Sequence, residues 1–388
     1  MRKIIKLGCL MVISAITMQH CQSKKMRENK YFLLVGTYTD GNASDGIYVY
    51  DFDDTCGQMT EVFHTNRVVN PAYLTLTNNG KYLYVVNENL SDKTKGMISA
   101  FSFDNKTGKI EFLNTQPSNG SAPCYVAVDS LGKNVAEANY NGGNFSIYKT
   151  DTSGKLWPAT QVITHSGTSV NEKIQTQPHV HSTVFSPNQK YLFVCDLGND
   201  TLYQYPFKIN SLQPVDEEQA SKYKIPGGYG PRHITFSPDN KYAYLLNELD
   251  GQLMVYRWQA DSLQYLQTLV STAIEDTANA DKGSAAVRVS PDGKFVYTSN
   301  RGKANDLTIF NVGANGLLKE VGHQPTGLHP RDFNIDPAGK FLLVASRDDN
   351  KVTVFSRNQA TGLLRKTEQV ITLPKPVALI FAEKKHHK

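Results

Sequence analysis

The chain has 388 residues, 40% hydrophobic and 20% charged, with a formal net charge of +5. That balance excludes a chain disordered throughout. It also excludes the dense basic surface that holds nucleic acid: residues 1–20 carry Arg2, Lys3 and Lys6 and no acid, leaving +2 on the rest.

Those three cations precede an apolar run from Leu7 to Met18, the pattern of an export signal and too short for an ordinary membrane span. Cys21 follows as the expected lipidation site, although Met18-Gln19-His20 puts a bulky His where such sites take a small residue. The expected location is the periplasm or cell envelope, with membrane attachment through Cys21. A start at Met26 would instead give a cytoplasmic protein. Residues 21–30 read as a linker, 31–382 as the folded unit and 383–388 as a basic tail. Cys56, Cys124 and Cys195 offer neither a disulfide framework nor a CxxC metal spacing, and Cys195, in the middle of a strand, reads as core.

The folded unit opens with YFLLVGTY (31–38), then repeats one phrase. A turn ending in Lys is followed by an alternating apolar run at NNGKYLYVVNE (78–88), LGKNVAEANY (131–140) and PNQKYLFVCDL (187–197). It recurs at PDNKYAYLLNE (238–248), PDGKFVYTSNR (291–301) and PAGKFLLVASR (337–347). Successive lysines (81, 133, 190, 241, 294 and 340) are 46 to 57 residues apart, the period of a four-stranded propeller blade. An aromatic closes the third run: Phe101, Tyr148, Tyr205, Tyr256, Phe310 and Phe355. A further turn precedes a fourth run, at 54–59, 105–110, 151–156, 209–214, 260–265, 313–318 and 360–364.

These turns number seven against six Lys signatures. The ends account for the difference. VALIF (377–381) reads as a first strand lacking a second, and YFLLVGTY as a second lacking a first. Joined, they predict an all-β, seven-bladed propeller of four-stranded antiparallel blades, closed by N- and C-terminal strands in one blade. Closure removes the free sheet edges that template aggregation.

Charges inside this pattern are the informative exceptions. First strands begin at Pro71, Pro123, Val180, Pro231, Ser284, Pro330 and Pro376, and the next residues are Ala72, Cys124, His181, Arg232, Ala285, Arg331 and Val377. Second strands end at Asn87-Glu88, Asn139-Tyr140, Asp196-Leu197, Asn247-Glu248, Asn300-Arg301 and Ser346-Arg347. Antiparallel pairing brings both columns to one end of the central channel, predicting a polar pocket of mixed charge. Loops 166–178 and 271–284 would overhang it.

His179 and His181 share a strand face in P-H-V-H. Zinc would need a third ligand, which no nearby spacing supplies, so a hydrogen-bonded structural pair and an acid/base or binding role stay open. Arg232 could pair with Glu248 of its own blade; with Arg301 and Arg331 in the same mouth, the surplus cation points to an anionic ligand. Asn139, Asp196 and His329 join His179 and Arg331 as candidate substrate-binding residues. No G-x-S-x-G elbow, phosphate-cradling loop or nucleotide fingerprint is present.

PHVHSTVFSPNQKYLFVCDLGND (178–200), GPRHITFSPDNKYAYLLNE (230–248), VSPDGKFVYTSNRG (289–302) and HPRDFNIDPAGKFLLVASR (329–347) resemble the seven-bladed propeller lactonases, which include propeller-type 6-phosphogluconolactonases and carboxy-muconate cyclase. The resemblance covers 31–382. It implies a hydrolase opening a small anionic sugar-acid lactone without metal or cofactor, with His181, Arg232, Glu248 and Arg301 as the active group. A muconate-type cyclase, or a non-catalytic binding propeller at the envelope, are the alternatives.

Overall fold

The computed structural model describes residues 30–40, 43–88, 96–273 and 283–385. The expected export signal, Cys21 and the end of the basic tail lie outside these residues.

The described chain forms seven sheets, each of four antiparallel strands. Their innermost strands are Pro71–Leu76, Pro123–Val128, Val180–Phe185, Pro231–Phe236, Ser284–Val289, Pro330–Ile335 and Pro376–Glu383, and they define blades 1 to 7 around a central channel. Blade 7 joins Pro376–Glu383 to Tyr31–Thr37, Ile47–Phe52 and Met59–His64, the closure expected from the unmatched ends. Innermost strands of successive blades pack side by side around the whole ring.

The repeated turn has a local cause. In blade 4, Ser237 Oγ donates to Asp239 Oδ1 at 2.6 Å and accepts from Tyr242 N at 3.0 Å, so the Ser and Asp side chains tie the turn to itself. The residue before each signature Lys is left-handed: Gly80, Gly132, Gln189, Asn240, Gly293 and Gly339. Between blades, the third-strand aromatics Phe101, Tyr148, Tyr205, Tyr256, Phe310 and Phe355 are all buried. Rings of that size, buried sheet on sheet, contribute much of the apolar stabilisation.

Blade 3 departs from the sequence reading. The turn at 209–214 does not lead into the outermost strand; Phe207 and Val215 make only an isolated bridge. The outermost strand is Ser221–Lys224, of four residues, because the insertion between turn and strand takes up the intervening chain.

One irregularity matters for function. In blades 1 to 6 strand pairing slips just after the first residue of the innermost strand, and in blade 7 Val377 is skipped between Pro376 and Ala378. A bulge re-aims the extra side chain. The positions concerned include Cys124, His181, Arg232 and Arg331. Six of the seven strands are also entered through a left-handed residue: Asn70, Ala122, Gly230, Gly283, His329 and Lys375.

Candidate active site

The bulges of blades 3 and 4 bring His181 and Arg232 to one end of the channel, beside the residues that end the second strands of blades 4 and 5. Glu248 joins them. Its Oε2 lies 2.7 Å from Arg232 Nε and 3.7 Å from His181 Nε2, and its Oε1 lies 2.9 Å from Arg301 Nη2. Arg301 Nε donates to Gly283 O at 2.7 Å, and Arg232 Nη1 donates to Ala285 O. The guanidinium groups are therefore held from blade 5 as well as by the shared carboxylate. His181, Arg232, Glu248 and Arg301 form one cluster.

Arg331 stands on the blade 6 side of the same mouth. Its Nη2 lies 3.3 Å from Glu88 Oε2, which also accepts Tyr38 OH at 2.6 Å, and its guanidinium lies over the Tyr38 ring. Three arginines against two carboxylates leave this mouth cationic. His329 enters strand Pro330–Ile335 in the left-handed region, with its Nδ1 3.5 Å from Asp348 Oδ2. Burial, reinforced by Arg301 and Arg347, pushes its pKa down to about 3, so it is neutral at physiological pH.

His179 stacks on Tyr140 at 4.4 Å, and its Nδ1 is 2.9 Å from Tyr140 O. Tyr140 meets His181 edge-on at 5.3 Å. Asp196 and Asn139 do not face the mouth. Asp196 is fully buried; its Oδ1 accepts His179 N and Gly198 N, and its Oδ2 lies 2.7 Å from His165 Nδ1. Asn139 Nδ2 donates to Ser118 O of blade 1 at 3.1 Å. Both side chains thus bond to neighbouring loop backbone, and Asp196 to His165 as well, as the end of a second strand must satisfy nearby backbone groups.

Burial sets the charge states. Burial, then Arg232, holds the His181 imidazole well below its usual range, with Glu248 opposing; His181 is therefore neutral. For Glu248, burial acts upward but Arg301 and Arg232 overcome it and hold the carboxyl well below the usual carboxylate range. Burial lowers Arg232 to about 10, Glu248 opposing, and it stays cationic.

Periodicity does not single out His233, Tyr38, Tyr73 or Arg288. His233 follows Arg232 and is kept neutral by burial and then Arg232; its ring meets His181 edge-on at 5.4 Å and Tyr125 at 5.1 Å. Below it, Tyr73 and Tyr125 stack at 4.2 Å, and Arg288 Nη2 pairs with Asp332 Oδ1 at 2.9 Å. Tyr73 and Tyr125 both meet the His233 ring edge-on, so this layer packs directly against the cluster. Tyr38 occupies the blade 7 position equivalent to Glu248, hidden because that blade has no Lys signature. The available signal for His233 was adjacency to Arg232.

Residues 32–381 match the family described as "Lactonase, 7-bladed beta-propeller". Among curated relatives, a 6-phosphogluconolactonase of Formosa agariphila is 36% identical, over 88% of this chain and 96% of its own length. One of Bacillus subtilis is 32% identical, over 91% and 98%. Among solved structures, a candidate 6-phosphogluconolactonase of Bacteroides fragilis superposes with TM-score 0.86 at 38% identity, over 93% of this chain and all of the other. A periplasmic gluconolactonase of Pseudomonas aeruginosa superposes with TM-score 0.85 at 34% identity, over 92% and 99%. With its ring of seven blades and a match that spans nearly all of it, the chain belongs to the seven-bladed β-propeller lactonase family.

Proposed function

We propose that this chain hydrolyses a sugar-acid lactone in the manner of a 6-phosphogluconolactonase, using the cationic mouth. The observation that carries the reading is Glu248 clamped between Arg232 and Arg301 with neutral His181 beside it. The lactone carbonyl oxygen faces the guanidinium groups, which stabilise the negative charge that grows on it as water adds. His181 Nε2 takes a proton from that water. The imidazolium so formed lies next to Glu248, whose charge stabilises it. When the ring C–O bond breaks, His181 returns the proton to the departing ring oxygen, giving the open hydroxy acid. Glu248 itself is a weak base, because both arginines favour its ionised form. Arg331 and His329 hold the anionic or hydroxyl groups of the sugar chain. The mechanism draws its charge stabilisation from guanidinium groups and uses no metal, so a chelator leaves the rate unchanged.

The periplasmic gluconolactonase among the relatives supports export of this chain and an unphosphorylated sugar lactone as substrate; the 6-phosphogluconolactonases support a phosphorylated one. Hydrolysis of gluconolactone and of 6-phosphogluconolactone, corrected for spontaneous opening, tests the proposal. Turnover of either that is lost in Arg232→Ala, with folding intact, supports it. Background rates on both lactones would overturn it.

A further inference from the structure

At the end of the propeller opposite the mouth, blades 1 to 3 carry an unusual rim. A shallow cavity of about 540 Å³ is lined there by Leu131, Trp157 and Leu212 together with the exposed Lys133 and with Lys149, which is buried and donates to Ile209 O. Leu131 is 62% exposed, Leu212 68% and Trp157 48%. Large apolar side chains grouped in water mark a contact surface rather than ordinary surface scatter. Trp with Leu and flanking Lys is the composition that settles at a bilayer interface, the indole spanning apolar and polar zones and lysine meeting anionic headgroups. Lys155 is exposed beside them. The lining's one acid, Asp151, is engaged by its own surface turn: its Oδ1 accepts Ser153 N, Ser153 Oγ and Lys155 N.

The path of the chain points the same way. Innermost strands start at the mouth and second strands return to it, so Tyr31, which begins a second strand, lies at the far end. Lys30 O accepts Lys384 N there. The 29 residues that precede Lys30 therefore join the propeller on the face that carries the rim.

We infer that the rim of Leu131, Trp157 and Leu212 docks on an anionic lipid surface, leaving the catalytic mouth facing away from the membrane. The inference is independent of which lactone is opened.

The chain's two tryptophans allow a local test. Trp258 is packed among Phe193, Phe236 and Tyr191, whereas Trp157 stands on the rim. The full chain is mixed with vesicles of phosphatidylcholine and phosphatidylglycerol, or phosphatidylcholine alone, each containing brominated lipid. The expected result is quenching of tryptophan fluorescence on the anionic vesicles, weaker binding to the neutral ones, and no quenching in Trp157→Phe. Leu131→Asp with Leu212→Asp should lower partitioning roughly tenfold, from the apolar burial lost, with Tm unchanged. Absence of vesicle binding overturns the inference. Binding with Trp157 unquenched does so too, since another segment then holds the chain. Equal binding to neutral vesicles overturns the anionic preference.

Discussion

Glu248 Oε2 lies 2.7 Å from Arg232 Nε, inside the channel mouth where Arg232 is almost wholly buried. The same carboxylate reaches Arg301, so one negative charge keeps two guanidinium groups in place. Breaking such a pair by removing one partner strands the other charges, at a cost of about 3–5 kcal/mol.

Glu248→Gln keeps the shape and deletes the charge. Tm should fall. In the variant that folds, kcat should drop roughly 10²-fold or more, because the imidazolium formed on His181 loses its counter-charge. KM for an anionic lactone should not rise, since the mouth becomes more cationic. Steady-state kinetics separate this from a purely structural role, for which KM would rise as the mouth loosens.

The pH profile follows from His181. The proposed mechanism requires the neutral ring, and burial with Arg232 holds its pKa well below the usual imidazole value. The acid limb of kcat/KM should therefore lie well below pH 6.5, leaving activity level from pH 6.5 to 7.5 once spontaneous hydrolysis is subtracted. A limb centred near 6.5 would show that His181 titrates as an exposed imidazole and is not the buried base described here.

The repeat, the closing blade and the clustered four residues were all legible in the sequence, because each rests on periodicity: Lys81 to Lys340 set the blade count, and antiparallel pairing puts Arg232 beside Glu248. What periodicity cannot carry was missed. The bulge at Arg232 is a backbone event with no residue code of its own. Asp196 and Asn139 share the column of Asn247 and Asn300, and only the facing loops decide whether such a side chain serves substrate or scaffold. Tyr38 was lost with the absent Lys signature of blade 7. The outermost strand of blade 3 lies beyond the turn at 209–214 because an insertion with no turn signature of its own separates the two.

Gly230 ties the backbone to the site. Its φ is +69°, and an added Cβ would stand 2.6 Å from Leu249 Cγ. Gly230→Ala should cost about 1–2 kcal/mol for the left-handed conformation alone, plus the clash, and should displace Arg232 two residues on. Gly293 has the same φ of +69°, with nothing nearer than 3.8 Å to an added Cβ, and lies at the far end of the blades. Gly293→Ala should therefore lower Tm by a smaller amount and leave kcat/KM intact, whereas Gly230→Ala should lower kcat/KM roughly tenfold, as misplaced reacting groups do. Equal loss of activity in both variants would separate the corner from the chemistry.

Glu137 gives the last prediction. It is fully buried in the second strand of blade 2, at the position held by Val35, Val85, Val194, Leu245, Thr298 and Val344 in the other blades. Its Oε2 has only Asn139 Nδ2 at 3.3 Å and Tyr148 OH at 3.5 Å, and its Oε1 has no partner among the described residues. Burial therefore pushes its pKa well above the ordinary 4.5, against the smaller opposing effects of Asn139 and Tyr148. The folded chain holds a proton that the unfolded chain releases above pH 4.5. Stability is thus full below that pH and falls as pH rises toward the folded pKa, by about 1.4 kcal/mol per unit. Glu137→Gln removes the dependence. Its Tm should match the parent near pH 4.5 and exceed it by a growing margin from pH 6 to pH 8. A difference in Tm that does not change with pH would mean that the carboxyl is ionised in the fold and that a cation or water supplies the partner for Oε1.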